Sequence, residues 1–331
     1  MKRSRILGVG GYLPEKVVTN FDLEKFMDTT DEWIRQRTGI EERHFAAEGE
    51  GAAKMGAIAA EEAIKNAGIK KEEIDFIIFA TLSPDYNFPG SGVLVQDLLG
   101  IDTIGALDIR NQCTGFIYGL SVADQFIKTG MYKKILVIGS EVHSTGIELA
   151  TRGRDVSVLF GDGAGAVVVG PEEDENKGIL STHLHSEGRY AKELWVEAPA
   201  SVLHPRLTKE MLEEGRHYPK MNGRNVYKHA VTRMPEVIME ALNANGYQLS
   251  DIGLLVPHQA NMRINEYVGN MLGIPPEKIV HNIQKYGNTT AATIPLCLYD
   301  ALKDGRLKPG LLVCIVSFGA GFTWASALVR W

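Results

Sequence analysis

The sequence predicts an α/β protein assembled from two similar halves, and three observations carry that prediction. Short apolar runs, such as residues 74–80 and 134–139, read as buried strands and alternate with helical stretches of ten or more residues. The helix–strand series before residue 171 returns after residue 222. The composition, 44% hydrophobic and 23% charged over 331 residues, is that of a globular chain long enough for two ordinary domains.

Composition also excludes several roles. A net charge of −6 gives no support for nucleic acid as a partner. No apolar run reaches the roughly 20 residues of a membrane span. The start, Met1-Lys2-Arg3-Ser4-Arg5, is basic, but the following Ile6-Leu7-Gly8-Val9-Gly10-Gly11 is too short and glycine-rich for a signal-peptide core. Cys113, Cys297 and Cys314 show neither paired nor metal-ligand spacing, so a reducing cytoplasm without disulfides or a metal is expected.

In chain order, residues 5–19 read as a strand and a turn at Pro14. Thr29 and Glu32 match a capping box that opens a short helix carrying Trp33, Arg35 and Arg37. That helix is either a solvated face or a place where an indole and guanidinium groups meet a nucleotide ring and its phosphates. An alanine-rich helix over 53–67 closes at Gly68, and a largely parallel sheet is expected from the alternating pattern. The glycines of 156–169 fail the dinucleotide fingerprint in spacing and are followed by a strand, so this stretch reads as a β-hairpin or tight strand connection. Two halves are expected, 1–171 and 172–331, the second opening on a long surface excursion at about 172–222.

The strand Leu107-Asp108-Ile109 turns sharply into a helix that is apolar on nearly every side, which places that helix inside the protein. Cys113 stands where this helix begins, and unpaired N–H groups and the helix dipole there favour a thiolate. Buried filling is the alternative for such a cysteine. The repeat supplies partners. Cys113 precedes Gly130 by seventeen residues and Asn288 precedes Gly305 by seventeen, so Asn288 is expected in the place of Cys113. His258 follows the strand Leu254-Leu255-Val256, at a strand end where α/β units collect ligands.

A thiolate there can accept an acyl group as a thioester. The backbone N–H of Cys113 and one from Phe318-Gly319-Ala320-Gly321, assigned to Ala320, can hold the carbonyl oxygen. His258 and Asn288 are donors suited to an enolate left by decarboxylation of a malonyl thioester. A cysteine–histidine–asparagine set also suits a thiol hydrolase, in which histidine is the base. His258 as a structural residue and Asn288 as a helix cap are the plainer alternatives.

The chain resembles the β-ketoacyl-acyl-carrier-protein synthase III family of the thiolase-like superfamily. The resemblance rests on Asp28-Thr29-Thr30-Asp31-Glu32-Trp33-Ile34 with Arg37-Thr38-Gly39-Ile40, on Cys113-Thr114-Gly115-Phe116, and on Phe160-Gly161-Asp162-Gly163-Ala164-Gly165-Ala166. It continues through Pro257-His258-Gln259-Ala260-Asn261-Met262-Arg263-Ile264, Tyr286-Gly287-Asn288-Thr289-Thr290-Ala291-Ala292 and Gly319-Ala320-Gly321-Phe322-Thr323-Trp324. It implies a five-layer αβαβα sandwich, a homodimer, and condensation of an acyl-coenzyme A primer with malonyl-acyl-carrier protein to begin fatty acid synthesis. A relative handling longer or unusual acyl groups in secondary metabolism is the alternative. The family's catalytic triad falls on Cys113, His258 and Asn288. Its coenzyme A contacts fall on Thr29, Trp33, Arg37, Arg154, Gly223, Asn261 and Arg263, with Trp33 and Arg154 on the two faces of the adenine. Phe88 matches the residue lent by a partner subunit to the acyl pocket, beside which Gln112 stands. Lys228 and Arg263 match the surface that meets the carrier protein, although Asn270 and Met271 replace lysines common in the family. Acyl-coenzyme A and the carrier protein are implied as substrates, with no other cofactor.

Overall fold

The computed structural model describes residues 3–331; Met1 and Lys2 of the basic start lie outside the described residues. The chain begins with β1 (Arg3–Tyr12), β2 (Lys16–Thr19), α1 (Asn20–Leu23), α2 (Asp31–Thr38) and β3 (Glu42–Phe45). It continues through α3 (Ala52–Asn66), β4 (Phe76–Ala80), α4 (Ser91–Leu98), β5 (Gly105–Ile109) and α5 (Gly115–Thr129). Next come β6 (Ile135–Glu141), α6 (Arg154–Ser157), β7 (Gly163–Glu172), β8 (Gly178–Ser186), β9 (Leu194–Trp195) and α7 (Lys209–Glu213). The remainder is β10 (Lys220–Met221), α8 (Gly223–Asn245), β11 (Leu254–Pro257), α9 (Met262–Leu272), α10 (Ile283–Tyr286), α11 (Thr293–Lys303), β12 (Leu312–Gly319) and β13 (Thr323–Arg330).

Two sheets form the frame. The first has the order β1-β7-β6-β4-β5 and the second β11-β12-β13-β8. Between them lie α5 and α11, whose Phe116, Ile117, Leu120, Ile294 and Leu298 share one core with strand residues of both sheets. Outside the first sheet α3 and α4 bury Met55, Ala59, Ala60 and Val95. Outside the second, α8 and α9 bury Met234, Val237, Ile238 and Val268. The result is the αβαβα sandwich. Position explains α5: a helix covered on two faces by sheets has almost no polar side. Gly119 lets it sit close, since a Cβ there would lie 3.0 Å from Val137 and 3.3 Å from Ile78.

Four expectations need correction. The sheets are mixed: β4 runs parallel to β5 and β6, and β11 to β12, while the remaining pairs within the two sheets are antiparallel. Residues 156–169 are no hairpin; they end α6, form an isolated bridge from Phe160 to Asn288, and enter β7, which pairs with strands distant in sequence. The expected excursion over 172–222 contains β8, which pairs along its length with β13 and so belongs to the second sheet. Within that stretch, the long irregular segment begins only after Ser186. Finally, α2 is capped by Thr30, whose hydroxyl accepts from the Trp33 N–H, and Glu32 bonds Gln36 instead of closing a box with Thr29.

Candidate active site

Both special turns of the repeat enter a middle-layer helix through one turn of 3-10 helix. Gln112–Thr114 precedes α5, and Thr290–Ala292 precedes α11. Each turn opens on a residue forced to positive φ, Gln112 at 45° and Thr290 at 48°, the two non-glycine residues in that region among those described. Such backbone costs energy and persists where the surroundings over-determine it. The matching strain gives the true register: Gln112 corresponds to Thr290, and Cys113 therefore to Ala291. Asn288 does not occupy the place of Cys113. The glycine-anchored count failed because α5 has 15 residues and α11 has 11.

The three residues nevertheless meet. Cys113, His258 and Asn288 line the buried end of one cavity of about 830 Å³. Cys113 is fixed through its carbonyl, which accepts from the Ser317 hydroxyl at 2.7 Å. Gly319 passes so near that a Cβ on it would lie 2.5 Å from the Cys113 Cβ. The backbone N–H groups of Cys113 and Ala320, the pair expected to hold a carbonyl oxygen, act to lower the thiol. Their effect on the thiol is outweighed. Burial, with Glu141 adding to it, pushes the thiol up to about 12, which disfavours the expected resting thiolate.

His258 follows β11 and its N–H donates to the Val316 carbonyl at 2.8 Å. Its Nδ1 lies 2.7 Å from the Thr293 hydroxyl, while its buried Nε2 has no partner among the described residues. Burial lowers the imidazole to about 3, so it is neutral at ordinary pH. Asn288 is clamped to the neighbouring segment, donating its N–H to Leu159 O at 2.8 Å and accepting from Gly161 N–H at 3.2 Å. Its side-chain oxygen accepts from the Thr290 N–H at 2.9 Å, which leaves the NH₂ as the group to offer the cavity.

Three polar residues near this centre are not distinguished by the sequence pattern. Glu141, at the end of β6, accepts from Thr81, Leu82, Ser83 and the Ala291 N–H, and burial raises it to about 7. His143 bonds the Thr290 hydroxyl at 2.7 Å and lies against Phe160, which lines the cavity. Thr293 holds His258 by the contact already given. Their signal is tertiary, since each is defined by a partner more than 30 residues away.

At the open end, Trp33, Arg37, Arg154, Gly223, Asn261 and Arg263 line the cavity, joined by Arg224. Four guanidinium groups at one mouth suit phosphates despite the acidic chain. Asn261 caps α9 by accepting from the Arg263 N–H and donates across to the Arg37 carbonyl at 2.9 Å. Arg37 and Arg154 both stack on Trp33, at 4.3 and 4.6 Å from its ring centre. An adenine between Trp33 and Arg154 would need roughly 7 Å, two stacking distances, so Arg154 must swing aside. Thr29 is off the lining, with its hydroxyl buried and unpartnered among the described residues. Gln112 is half-buried and Phe88 is 87% exposed; neither lines the cavity within this chain. Lys228 is exposed on α8 and likewise off the lining. Among the described residues no group of three or more His, Cys, Asp or Glu could hold a metal ion.

Comparison with known proteins decides the family. Models described as 3-oxoacyl-[acyl-carrier-protein] synthase III and its C-terminal part match residues 107–188 and 242–331. The chain belongs to the β-ketoacyl-[acyl-carrier-protein] synthase III family. It is 46% identical over 332 residues to the synthase III of Rhodospirillum centenum, covering 99% of each chain. It is 46% identical to that of Bradyrhizobium diazoefficiens, again covering 99% of both. The crystal structure of 3-oxoacyl-[acyl-carrier-protein] synthase III from Aquifex aeolicus superimposes with a TM-score of 0.91 at 44% identity, covering 99% of this chain and 100% of that one. A priming β-ketosynthase of a polyketide pathway superimposes at 0.90 with 33% identity, covering 98% and 96%. As a synthase III the chain is an acyltransferase of the condensing type, acting where fatty acid synthesis begins.

Proposed function

We propose that Cys113, His258 and Asn288 carry a two-step condensation. In the first step Cys113 Sγ attacks the carbonyl of an acyl-coenzyme A, whose oxygen moves onto the N–H groups of Cys113 and Ala320. Coenzyme A leaves as the thiol. In the second step malonyl-acyl-carrier protein loses carbon dioxide while the Asn288 NH₂ and His258 hold the enolate oxygen, and the carbanion attacks the acyl thioester. Release of the 3-oxoacyl product regenerates the Cys113 thiol with one proton from solvent. No carboxylate base is needed, because decarboxylation itself generates the carbanion.

The single observation that carries this reading is the polarity of one cavity. Its buried end holds a cysteine with two N–H donors, a neutral histidine and an asparagine, while its open end holds Trp33 and four arginines. That gradient matches a thioester whose other end is a phosphorylated nucleotide. Arg263 and Lys228, exposed on α9 and α8, would receive the acidic carrier protein. The edge strand β5 with exposed Leu107, together with Phe88, supports a homodimer in which Phe88 reaches the partner's acyl pocket. Three free, buried cysteines fit work in a reducing cytoplasm.

Mass spectrometry of the Cys113 peptide after incubation with acyl-coenzyme A donors of increasing length tests the first step. Addition of malonyl-acyl-carrier protein should then discharge the adduct. Absence of any adduct from short to medium chains overturns the reading. Preference for long donors would move the chain toward the secondary-metabolism role suggested by its polyketide relative.

A further inference from the structure

The side chains of Asn288 and His258 both hang on one residue. The N–H of Thr290 donates to the Asn288 side-chain oxygen at 2.9 Å, and the Thr290 carbonyl accepts from the Thr293 hydroxyl at 3.0 Å. The hydroxyl of Thr290 is itself pinned by His143 Nε2 at 2.7 Å. Thr290 is also the residue held at φ 48°, so its peptide groups are aimed by strain rather than by a regular helix.

The direction of these bonds has a chemical consequence. A threonine hydroxyl has one proton, and a carbonyl can only accept. Because the Thr293 proton goes to the Thr290 carbonyl, the same oxygen must accept from His258 Nδ1, 2.7 Å away. His258 Nδ1 therefore carries the hydrogen and Nε2, buried and facing no protein partner among the described residues, carries a lone pair. We propose that Thr293, anchored on Thr290, is a positioning residue that fixes His258 in the Nδ1–H tautomer and so makes Nε2 the base for acylation of Cys113. This rests on the proposed condensation and adds the proton path to it. Nε2 takes the thiol proton as the Sγ–C bond forms, the C–S bond to coenzyme A breaks, and the proton passes from Nε2 to the departing thiolate. A buried thiol pushed up to about 12 gives up its proton only as the Sγ–C bond forms, and the unpartnered lone pair on Nε2 is placed to take it. In the second half-reaction Nε2 takes up the one solvent proton as the enolate forms, the enolate charge offsetting the imidazolium, and passes it to the Cys113 sulfur as the acyl carbon leaves.

Thr293→Val keeps the shape and removes the hydroxyl, freeing His258 to populate the Nε2–H tautomer. Acylation of Cys113 from acyl-coenzyme A, followed by rapid quench and mass spectrometry, should slow by about 10²-fold, the usual contribution of a general base. Decarboxylation of a malonyl thioester, followed by carbon dioxide release, should stay within about threefold, because the donor it needs is then present in the neutral ring. Thr293→Ser should restore acylation. Equal loss in both half-reactions, or unchanged acylation in the valine variant, overturns the proposal. The tautomer can also be read in the unmodified protein by nitrogen NMR of ¹⁵N-histidine-labelled enzyme assigned with His258→Gln. A hydrogen on Nε2 of resting His258 overturns the proposal even if neither threonine variant folds. A wild-type protein that never acylates Cys113 refutes the condensation instead, leaving the tautomer measurement intact.

Discussion

At the scale of single residues, the proposed nucleophile is paradoxical until its neighbours are counted. Cys113 sits before a helix and receives two N–H groups, yet its thiol is pushed up to about 12. Burial removes the water that would solvate a thiolate, and the Glu141 carboxylate repels the negative charge. Alkylation of the free enzyme by iodoacetamide should therefore accelerate continuously from pH 6 to pH 9, monitored by labelling of the Cys113 peptide. A plateau beginning near pH 7 would mean a thiolate already formed. Asn288 works differently, because its backbone is held on both sides and only the NH₂ is spare. Asn288→Ala should slow decarboxylation by about 10²–10³-fold, as removal of an oxyanion donor does, with acylation of Cys113 nearly unchanged. Parallel losses in the two half-reactions would contradict that division of labour.

At the scale of elements, legibility in the sequence tracks apolar rhythm. The strands β4 and β6 stand out because every residue in them is buried, and the helix α5 because most of its faces are covered. Strand β8 escapes notice because at the edge of a sheet it carries Ser181, Thr182, His183, His185 and Ser186 with Leu184 as the one apolar residue among them, a loop-like composition. The candidate residues Cys113, His258 and Asn288 could be named from local motifs, but the register relating the two halves could not. It depends on a shorter second helix, which no spacing anchored at a distant glycine can reveal. The supporting set of Glu141, His143 and Thr293 is illegible for a related reason: each gains meaning only from a partner brought close by folding. The cap of α2 offers a clean local test. Thr30→Ala should lower stability by about 1 kcal/mol in urea unfolding, whereas Thr29→Ala, whose hydroxyl has no partner among the described residues, should cost less. The opposite order would return the cap to Thr29.

At the scale of the whole molecule, buried titratable groups set the response to acid. His143, His258 and His281 are lowered by burial to about 3, 3 and 4, against 6.5 in an unfolded chain. Between those values and pH 6.5 the unfolded chain binds up to three more protons, so these groups make stability fall as pH drops. Glu141 has the opposite sign. Raised to about 7, it holds a proton in the folded state that an unfolded glutamate releases above about 4.5, favouring the fold at lower pH. Asp162 and Asp300, also raised by burial, act in the same sense as Glu141 near their ordinary range. The histidines prevail in number from pH 4.5 to 6.5, and unfolding free energy should decline there by on the order of 1–3 kcal/mol per unit of acidification. Urea midpoints at pH 5 and pH 6.5 measure this. A higher midpoint at pH 5 would show that the carboxyl groups dominate.

The acidic turn after β7 joins two bodies that are not independent. Because α5 and α11 lie between the sheets and bury side chains against both, neither half has an inner surface that water could wet without loss. Each half serves as the other's core. A chain nicked within residues 173–177 would therefore leave two fragments with every reason to remain together, the thiol on one and the imidazole and amide on the other. The proposed chemistry belongs to a seam: activity would appear only on reassembly, so that the reaction itself reports the closure of the fold.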